Sequence, residues 1–343
     1  MSIIGTLSKS SRWLSENIFS ASAGHHPKII RTKLSGLSFI LTFLLAVCSG
    51  CSSPAAQPEV SPLHIEDGRL CDTDGKPVQL RGVSTHGIEW YGEYLNAGMM
   101  RSVKEAGGNV VRIAMYTDTE RGYVKAPEEN LRRVIAGIED AIAEDMYVIV
   151  DWHILSDGDP RSHLQEAINF FDAVASRYPD TPNIIYEICN EPNKCTWKDI
   201  TEYAYQIIGV IRQYAHDAVV IVGTPNYASQ PSYGWLDPIN AENLLYAFHY
   251  YPGEHWTWEV LKDAAEQKAP VFVSEWGIGE GGSEDAEAFL QFMNKNGISW
   301  CAWSMCNKDE PYSILRPDCN KYGQFTEEDL SKAGKLIFRY LDK

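Results

Sequence analysis

From residue 63 onward, short apolar runs alternate with longer stretches in which apolar side chains recur every three or four positions. The runs are VQLRGVS (Val78–Ser84), VVRIAMY (Val110–Tyr116), YVIVDWH (Tyr147–His153), IIYEICNE (Ile184–Glu191), VVIVGTP (Val219–Pro225), LLYAFHYY (Leu244–Tyr251), VFVSEWG (Val271–Gly277) and SWCAWSM (Ser299–Met305). Most begin with nearly continuous apolar residues, the pattern of strands buried on both faces. The stretches between them read as amphipathic helices. In Glu129–Glu144, for example, Leu131, Val134, Ile135, Ile138 and Ile142 keep a helical spacing. Eight such units in about 280 residues predict an α/β chain folded as a single (β/α)8 TIM barrel. The preceding LHIEDGRLCDTDGKPVQL, with turns at Asp67-Gly68 and Asp74-Gly75, predicts a short N-terminal β-hairpin. An open doubly wound sheet is the alternative, weakened because no glycine-rich phosphate loop follows the first strand.

The apolar runs finish in polar or aromatic residues: His86, Arg112 with Tyr116, Asp151 with His153, Asn190 with Glu191, His249 with Tyr251, Glu275, and Trp303. In a barrel these positions converge on the C-terminal rim, where active sites of this fold are built. A lone strand-end histidine is ordinarily a hydrogen-bonded structural residue, and Arg112 alone could be the buried partner of a carboxylate. Seven of eight strands ending this way is hard to attribute to packing.

The first fifty residues have a different character. They carry five basic residues (Lys9, Arg12, Lys28, Arg31, Lys33) and one acid, Glu16, before an apolar run from Leu37 to Cys48. That run is too short to span a bilayer but suits the core of a secretory signal. It leads into Gly50-Cys51, the form of a bacterial lipoprotein signal, although Cys48 stands where such signals resemble a lipobox leucine. The expectation is a signal peptide over 1–50, lipidation at Cys51 and a Ser/Pro/Ala tether over 51–62, ahead of a catalytic barrel over 63–343. Export to the cell envelope follows, or simple secretion if Cys51 is not lipidated. Membrane contact is then expected only through that anchor, and the protein is expected to be a monomer.

The whole chain has a net charge of −16. Such a surface argues against nucleic acid as partner and favours a neutral ligand. Beyond Cys51, six cysteines remain: Cys71, Cys189, Cys195, Cys301, Cys306 and Cys319. Among these six no CxxC pair is present, which argues against zinc-ribbon or thioredoxin chemistry. Export permits disulfides, and a Cys306–Cys319 bridge between two loop positions is the first expectation.

Glu191 and Glu275 close two apolar strands, where an isolated carboxylate is costly. Each could be a structural ion-pair partner, for instance of Arg112. Two carboxylates across a cleft are also what glycosidic bond cleavage requires, one to protonate the leaving oxygen and one to attack carbon or activate water.

At these residues the chain resembles glycoside hydrolase family five, and within it the bacterial endo-β-1,4-glucanases. IYEICNEP is similar to the acid/base signature and VFVSEWG to the nucleophile strand. The resemblance runs on through LRGVSTHGIEWYG, NVVRIAMY, VIVDWH, FHYY and WSMCNKDE, covering essentially all of Leu63 to Lys343. It implies a retaining endo-β-1,4-glucanase acting on a β-glucan polysaccharide without metal or organic cofactor. Glu191 would be the acid/base and Glu275 the nucleophile. Arg112 and Tyr251 would donate to Glu275, Asn190 to a sugar 2-hydroxyl, and His249 would orient Glu191. His86 and His153 would bond sugar hydroxyls over a Trp303 platform, Trp90 and Tyr116 would line neighbouring subsites, and Lys308 would reach a hydroxyl. Cys306-Asn307, just before Lys308, departs from the family pattern. Trp197, Trp235, Trp256 and Trp258 could extend the cleft or equally belong to the core.

Two other classes of protein fit less well. A metal-dependent hydrolase could gather a cation with His86, His153, His249 and the carboxylates, but no HxH or HExxH spacing is present. A glycan-binding lipoprotein without catalysis would not need both glutamates and Arg112. An endo-mannanase, xyloglucanase or mixed-linkage glucanase on the same scaffold stays open.

Overall fold

The computed structural model describes residues 60–252, 257–279 and 283–343. The signal segment with Cys51, nearly all of the tether, and Trp256 lie outside the described residues.

The chain opens with a hairpin, β1 (His64–Glu66) and β2 (Arg69–Cys71), paired antiparallel with Ile65 opposite Leu70. Asp67 and Gly68 both take positive φ, 49° and 74°, the backbone a two-residue hairpin turn with right-handed twist demands. Eight parallel strands follow: β3 (Arg81–Thr85), β4 (Val110–Tyr116), β5 (Tyr147–His153), β6 (Ile184–Glu187), β7 (Val220–Val222), β8 (Leu244–Tyr250), β9 (Val271–Trp276) and β10 (Trp300–Met305). They close into a barrel in chain order, β10 returning to pair with β3. The predicted (β/α)8 architecture and N-terminal hairpin are therefore both present.

Helices cross over between strands and cover the outside. In the helix Pro127–Ala143, Val134, Ile138 and Ala141 are buried against the strands, while Leu131, Ile135 and Ile142 are half-buried at the edges of the same stripe. Proline starts that helix, where a missing N–H costs nothing, and two acids occupy its first turn, where they favour the helix dipole. The helix Trp197–Ile211 begins with a capping box between Thr196 and Asp199. Among the described residues, no helix is long and apolar enough to cross a membrane.

Inside the barrel the side chains fall into two zones. Val110, Ile149, Ile185, Ile221, Leu245, Ala247, Phe272 and Cys301 form one apolar cluster, into which Leu63 and Leu70 of the hairpin region also pack. The hairpin thus covers the N-terminal mouth. Gly68 lies so close that an added Cβ would come within 1.9 Å of the Lys268 carbonyl oxygen. Two residues further along the strands the interior turns polar: Arg112, Asp151, Glu187 and His249 follow Val110, Ile149, Ile185 and Ala247 on the same face.

Three strands are shorter than the apolar runs imply. β3 starts at Arg81 because Val78 N–H donates to Leu70 O of the hairpin and Leu80 N–H donates to the Ser299 side chain. β6 stops at Glu187, and the Cys189–Pro192 segment turns across the end of β7. β7 itself keeps only three residues. Gly223, directly after β7, permits that crossing, since a Cβ there would lie 2.0 Å from Cys189 O and 2.9 Å from Pro192.

Candidate active site

Arg112 occupies the centre of the polar zone and is completely buried. Its Nε donates to Glu187 (2.6 Å), Nη1 to Glu275 (2.9 Å) and Nη2 to the Asn190 side-chain oxygen (2.7 Å). Nη2 also lies 3.0 Å from Asp151. One fixed cation among three carboxyls cannot keep all three ionised, and their pKa values divide accordingly. Burial pushes Asp151 well above its ordinary range, reinforced by Glu187 and Glu275 against the pull of Arg112. Glu187 is equally buried, yet Arg112 and His249 outweigh that burial and hold it at about 2.

Glu275 is the next-to-last residue of β9, with its side chain only 7% exposed. Burial would raise its pKa, but His249 and Arg112 prevail and hold it below 4.5. The Tyr251 hydroxyl donates to its other oxygen at 2.6 Å, and burial beside Glu275 keeps that phenol protonated. A register slip on β9 allows this placement: Ala247 pairs with Phe272, but His249 pairs with Glu275. The extra residue turns both Ser274 and Glu275 inward, one to His249 and the other to Arg112.

Glu191 sits on the loop past β6, where Gly223 lets the backbone lie down. Its Oε1 accepts from His249 Nδ1 at 2.9 Å, while His249 Nε2 meets Ser274 Oγ at 3.0 Å. Burial opposes a charge on His249, but Glu275, Glu187 and Glu191 together lift its pKa to about 9. Glu191 moves the other way from Glu275. Burial, seconded by Glu275, raises it above 4.5 despite the hydrogen bond from His249. One oxygen of each glutamate and one nitrogen of His249 lie within 4.8 Å of one another. Such a trio could hold a cation. A protonated His249, however, presents N–H groups rather than a lone pair, which disfavours metal ligation at neutral pH.

An aromatic wall adjoins the glutamates. Trp303 lies between His86, 5.2 Å away, and His153, stacked at 5.4 Å. Tyr116 leans on His153 at 4.1 Å, and Trp90, 43% exposed, stands edge-on to Tyr116. Gly87 makes room, since a Cβ there would come within 2.7 Å of the Trp90 ring. His86 Nδ1 accepts from Gly87 N–H. Burial, with Lys308 and His153 nearby, lowers the His86 pKa to about 3, so Nε2 carries its proton. His153 is also neutral, at about 3 through burial and Arg112, and its Nδ1 donates to Asp151 at 2.6 Å. The Asn190 amide donates to Ile154 O at 3.0 Å and more loosely, at 3.3 Å, meets His153 Nε2.

Glu191, Glu275, Arg112, Asn190, His249, Tyr251, His86, Trp90, Tyr116, His153 and Trp303 are thus brought together. Lys308 stands beside them but is ion-paired with Glu310. Trp197 is a core residue stacked on Tyr233, and Trp258 is half-buried against the core, packed on Phe289 and Phe292. Trp235 is half-buried against the same core.

The expected Cys306–Cys319 disulfide is absent, and the six cysteines of the described residues carry free thiols. Cys306 Sγ lies between the Ser304 and Ser313 hydroxyls, whereas Cys319 Sγ points to Lys321 O. The two loops are joined instead by Asn307, whose amide donates to Cys319 O at 3.0 Å.

Sequence reading missed Glu187 and Ser274, and gave Asp151 no role. The available signal was parity: Glu187 stands two residues beyond interior Ile185, as Asp151 does beyond Ile149.

Residues 71–309 match the family model described as Cellulase (glycosyl hydrolase family 5). The chain is 42% identical over 290 residues to Endoglucanase A of Butyrivibrio fibrisolvens, covering 80% of this chain and 67% of that protein. It is 38% identical over 313 residues to Endoglucanase N of Pectobacterium atrosepticum, covering 87% and 70% respectively. The catalytic domain of Thermobifida fusca endoglucanase Cel5A superposes with a TM-score of 0.78 at 34% identity, covering 82% of this chain and 97% of that one. A variant of that domain in complex with cellotetraose superposes with a TM-score of 0.77 at 33% identity, with the same coverage.

Arg112→Met is expected to cost about 3–5 kcal/mol at pH 7, because buried carboxylates lose their shared cation. In the native protein, Glu187 and Glu275 have depressed pKa values, so the stability they contribute is present at neutral pH and lost on acidification. The variant lacks that contribution, so its deficit should shrink at pH 4. Urea denaturation at the two pH values checks this, and an equal deficit at both would contradict it.

Proposed function

The chain belongs to glycosyl hydrolase family 5, and from that membership and the site geometry we propose that it is a retaining endo-β-1,4-glucanase. The observation that carries the proposal is the pair Glu191 and Glu275, with oxygens within 4.8 Å and pKa values pushed in opposite directions. Retaining enzymes hold their carboxyls about 5–5.5 Å apart, whereas inverting ones need about 6.5–9.5 Å to admit a water. Opposed pKa values divide the acid role from the nucleophile role.

In the first step, Glu191 gives its proton to the leaving glycosidic oxygen while Glu275 bonds to the anomeric carbon. Arg112 and Tyr251 hold the attacking carboxylate ionised and aimed. The shorter chain departs with its new hydroxyl. In the second step, Glu191, now a carboxylate, takes a proton from water. The resulting oxygen attacks the same carbon, releasing Glu275 and restoring the β configuration.

The aromatic wall suits a sugar chain whose pyranose faces present C–H groups, with Trp303 as platform and Trp90 further out. His86 offers its Nε2–H to a sugar hydroxyl. The looser Asn190–His153 contact is the one a 2-hydroxyl would replace. A β-1,4-glucan substrate is supported by the endoglucanase relatives and by cellotetraose bound to a variant of the Thermobifida fusca domain. Export, with a lipid anchor at Cys51, belongs to the same proposal and rests on the N-terminal sequence pattern.

Glu275→Ala and Glu191→Ala are each expected to leave a folded protein. Turnover of carboxymethylcellulose should fall by at least about 10²-fold. Proton NMR of early products from the native protein should show the β-anomer first. Initial α-anomer, or near-normal turnover in either variant, would refute the mechanism.

The pH profile of kcat/KM should be a bell. Its acid limb reports Glu275 gaining a proton below the ordinary 4.5, and its alkaline limb reports Glu191 losing one above it. His249 lowers both pKa values, so His249→Asn should move both limbs toward higher pH. Limbs that stay in place, or move down, would show that His249 is not the cation acting on this pair.

A further inference from the structure

Glu187 is fully buried and takes no part in the two-step reaction described above. Its Oε2 accepts from Arg112 Nε at 2.6 Å, and its Oε1 lies 3.9 Å from His249 Nε2. The second contact is too long for a hydrogen bond but close for an ion pair. Oε1 has no hydrogen-bond donor among the described residues, and the His249 imidazole stands beside it. Arg112 and His249 are the two cations that touch the catalytic pair, one on Glu275 and the other on Glu191. Glu187 therefore meets each of them at a different nitrogen from the one that meets the catalytic carboxyl.

We propose that Glu187 is a positioning residue for the glucanase reaction, a fixed anion shared by Arg112 and His249 that keeps one cation on each catalytic glutamate while negative charge passes between them. The inference rests on the retaining mechanism proposed above. In the resting site, two cations face two anions, Glu187 and Glu275. When Glu275 becomes an ester it loses its charge, and Glu191, having given up its proton, gains one. The total stays constant, and Glu187 is the anion that does not change. Without it, His249 would rely in the resting site on Glu275, whose charge is consumed just as the leaving oxygen takes its proton.

Other groups facing His249 do not duplicate this part. Ser274, from β9, accepts a hydrogen bond but carries no charge. Glu275, from the same strand, is the group whose charge is consumed. Arg112, from β4, is itself a cation. His153 from β5 is neutral, and Asp151 beside it is driven toward the neutral form by burial.

The test is an NMR titration of ring-labelled histidine in the native protein and in Glu187→Gln, with kcat/KM measured from pH 5.5 to 8. In the native protein the His249 ring is expected to titrate near 9, and a midpoint near the ordinary 6.5 would overturn the proposal even if the variant did not fold. In Glu187→Gln the midpoint should fall toward 6.5. The loss of kcat/KM should be about tenfold or more at pH 8 and shrink to under about threefold at pH 5.5, where the imidazolium reforms. A uniform loss across pH, as a packing defect would give, or an unmoved midpoint would overturn it. If the native protein released no reducing ends from soluble β-1,4-glucan, the proposed function would fail. The titration would still report on Glu187 separately.

Discussion

A guanidinium with no exposure to solvent is the constraint around which the rest of this molecule is arranged. Arg112 is always charged, so the barrel interior has to bring carboxyls to it or leave a cation unpaired in a place where that is prohibitive. Three carboxyls and an amide oxygen answer that demand from β5, β6, β9 and the loop after β6. Because the fork of donors is rigid, satisfying it also fixes where Glu275 points. The contact places Glu275, and Arg112 together with His249 keeps it ionised, so the stability of the barrel and the charge of this glutamate are tied together.

The barrel makes that arrangement possible by separating a dry floor from a polar rim. The hairpin and the apolar interior layer fill one mouth. Charges just above the floor then interact more strongly than they would in water. The result is a graded set of proton affinities over a few ångströms. Glu187 and Glu275 are held down by neighbouring cations, Glu191 and Asp151 are held up by burial, and His249 is kept charged between carboxylates. Glu191 and Glu275 differ in proton affinity because burial prevails at Glu191 whereas His249 and Arg112 prevail at Glu275.

Much of this was legible in the linear chain, for reasons that can be traced to particular residues. Strands buried on both faces leave continuous apolar runs, and the residue that ends such a run is conspicuous. Glu275 after VFVS, His249 within LLYAFHYY and Arg112 within VVRIAMY could all be picked out. Glu187 could not, because it sits inside the run leading to Asn190-Glu191 and was read as a step on the way to them. What would have found it is the alternation of the strand, carried past Ile185. The inward turn of both Ser274 and Glu275 was also out of reach, since strict alternation allows only one of two neighbours to face inward. That required the slip in register on β9, a property of the pairing and not of the residues alone. The Cys306–Cys319 bridge failed for a related reason. The two loops lie side by side, but the sulfur of Cys306 is turned toward two serine hydroxyls, and an asparagine side chain joins the loops.

The claim on which the whole account turns is that Glu275 carries the negative charge that becomes a bond to sugar carbon. Mass spectrometry after inactivation with a 2-deoxy-2-fluoro-cellobioside bearing a good leaving group tests it most directly. The account predicts a single equivalent of the fluorinated sugar, mapped by peptide digestion to Glu275 and absent when Arg112 is replaced. A label on Glu191 or Glu187, or no label from a protein that still turns over cellulose chains, would contradict it.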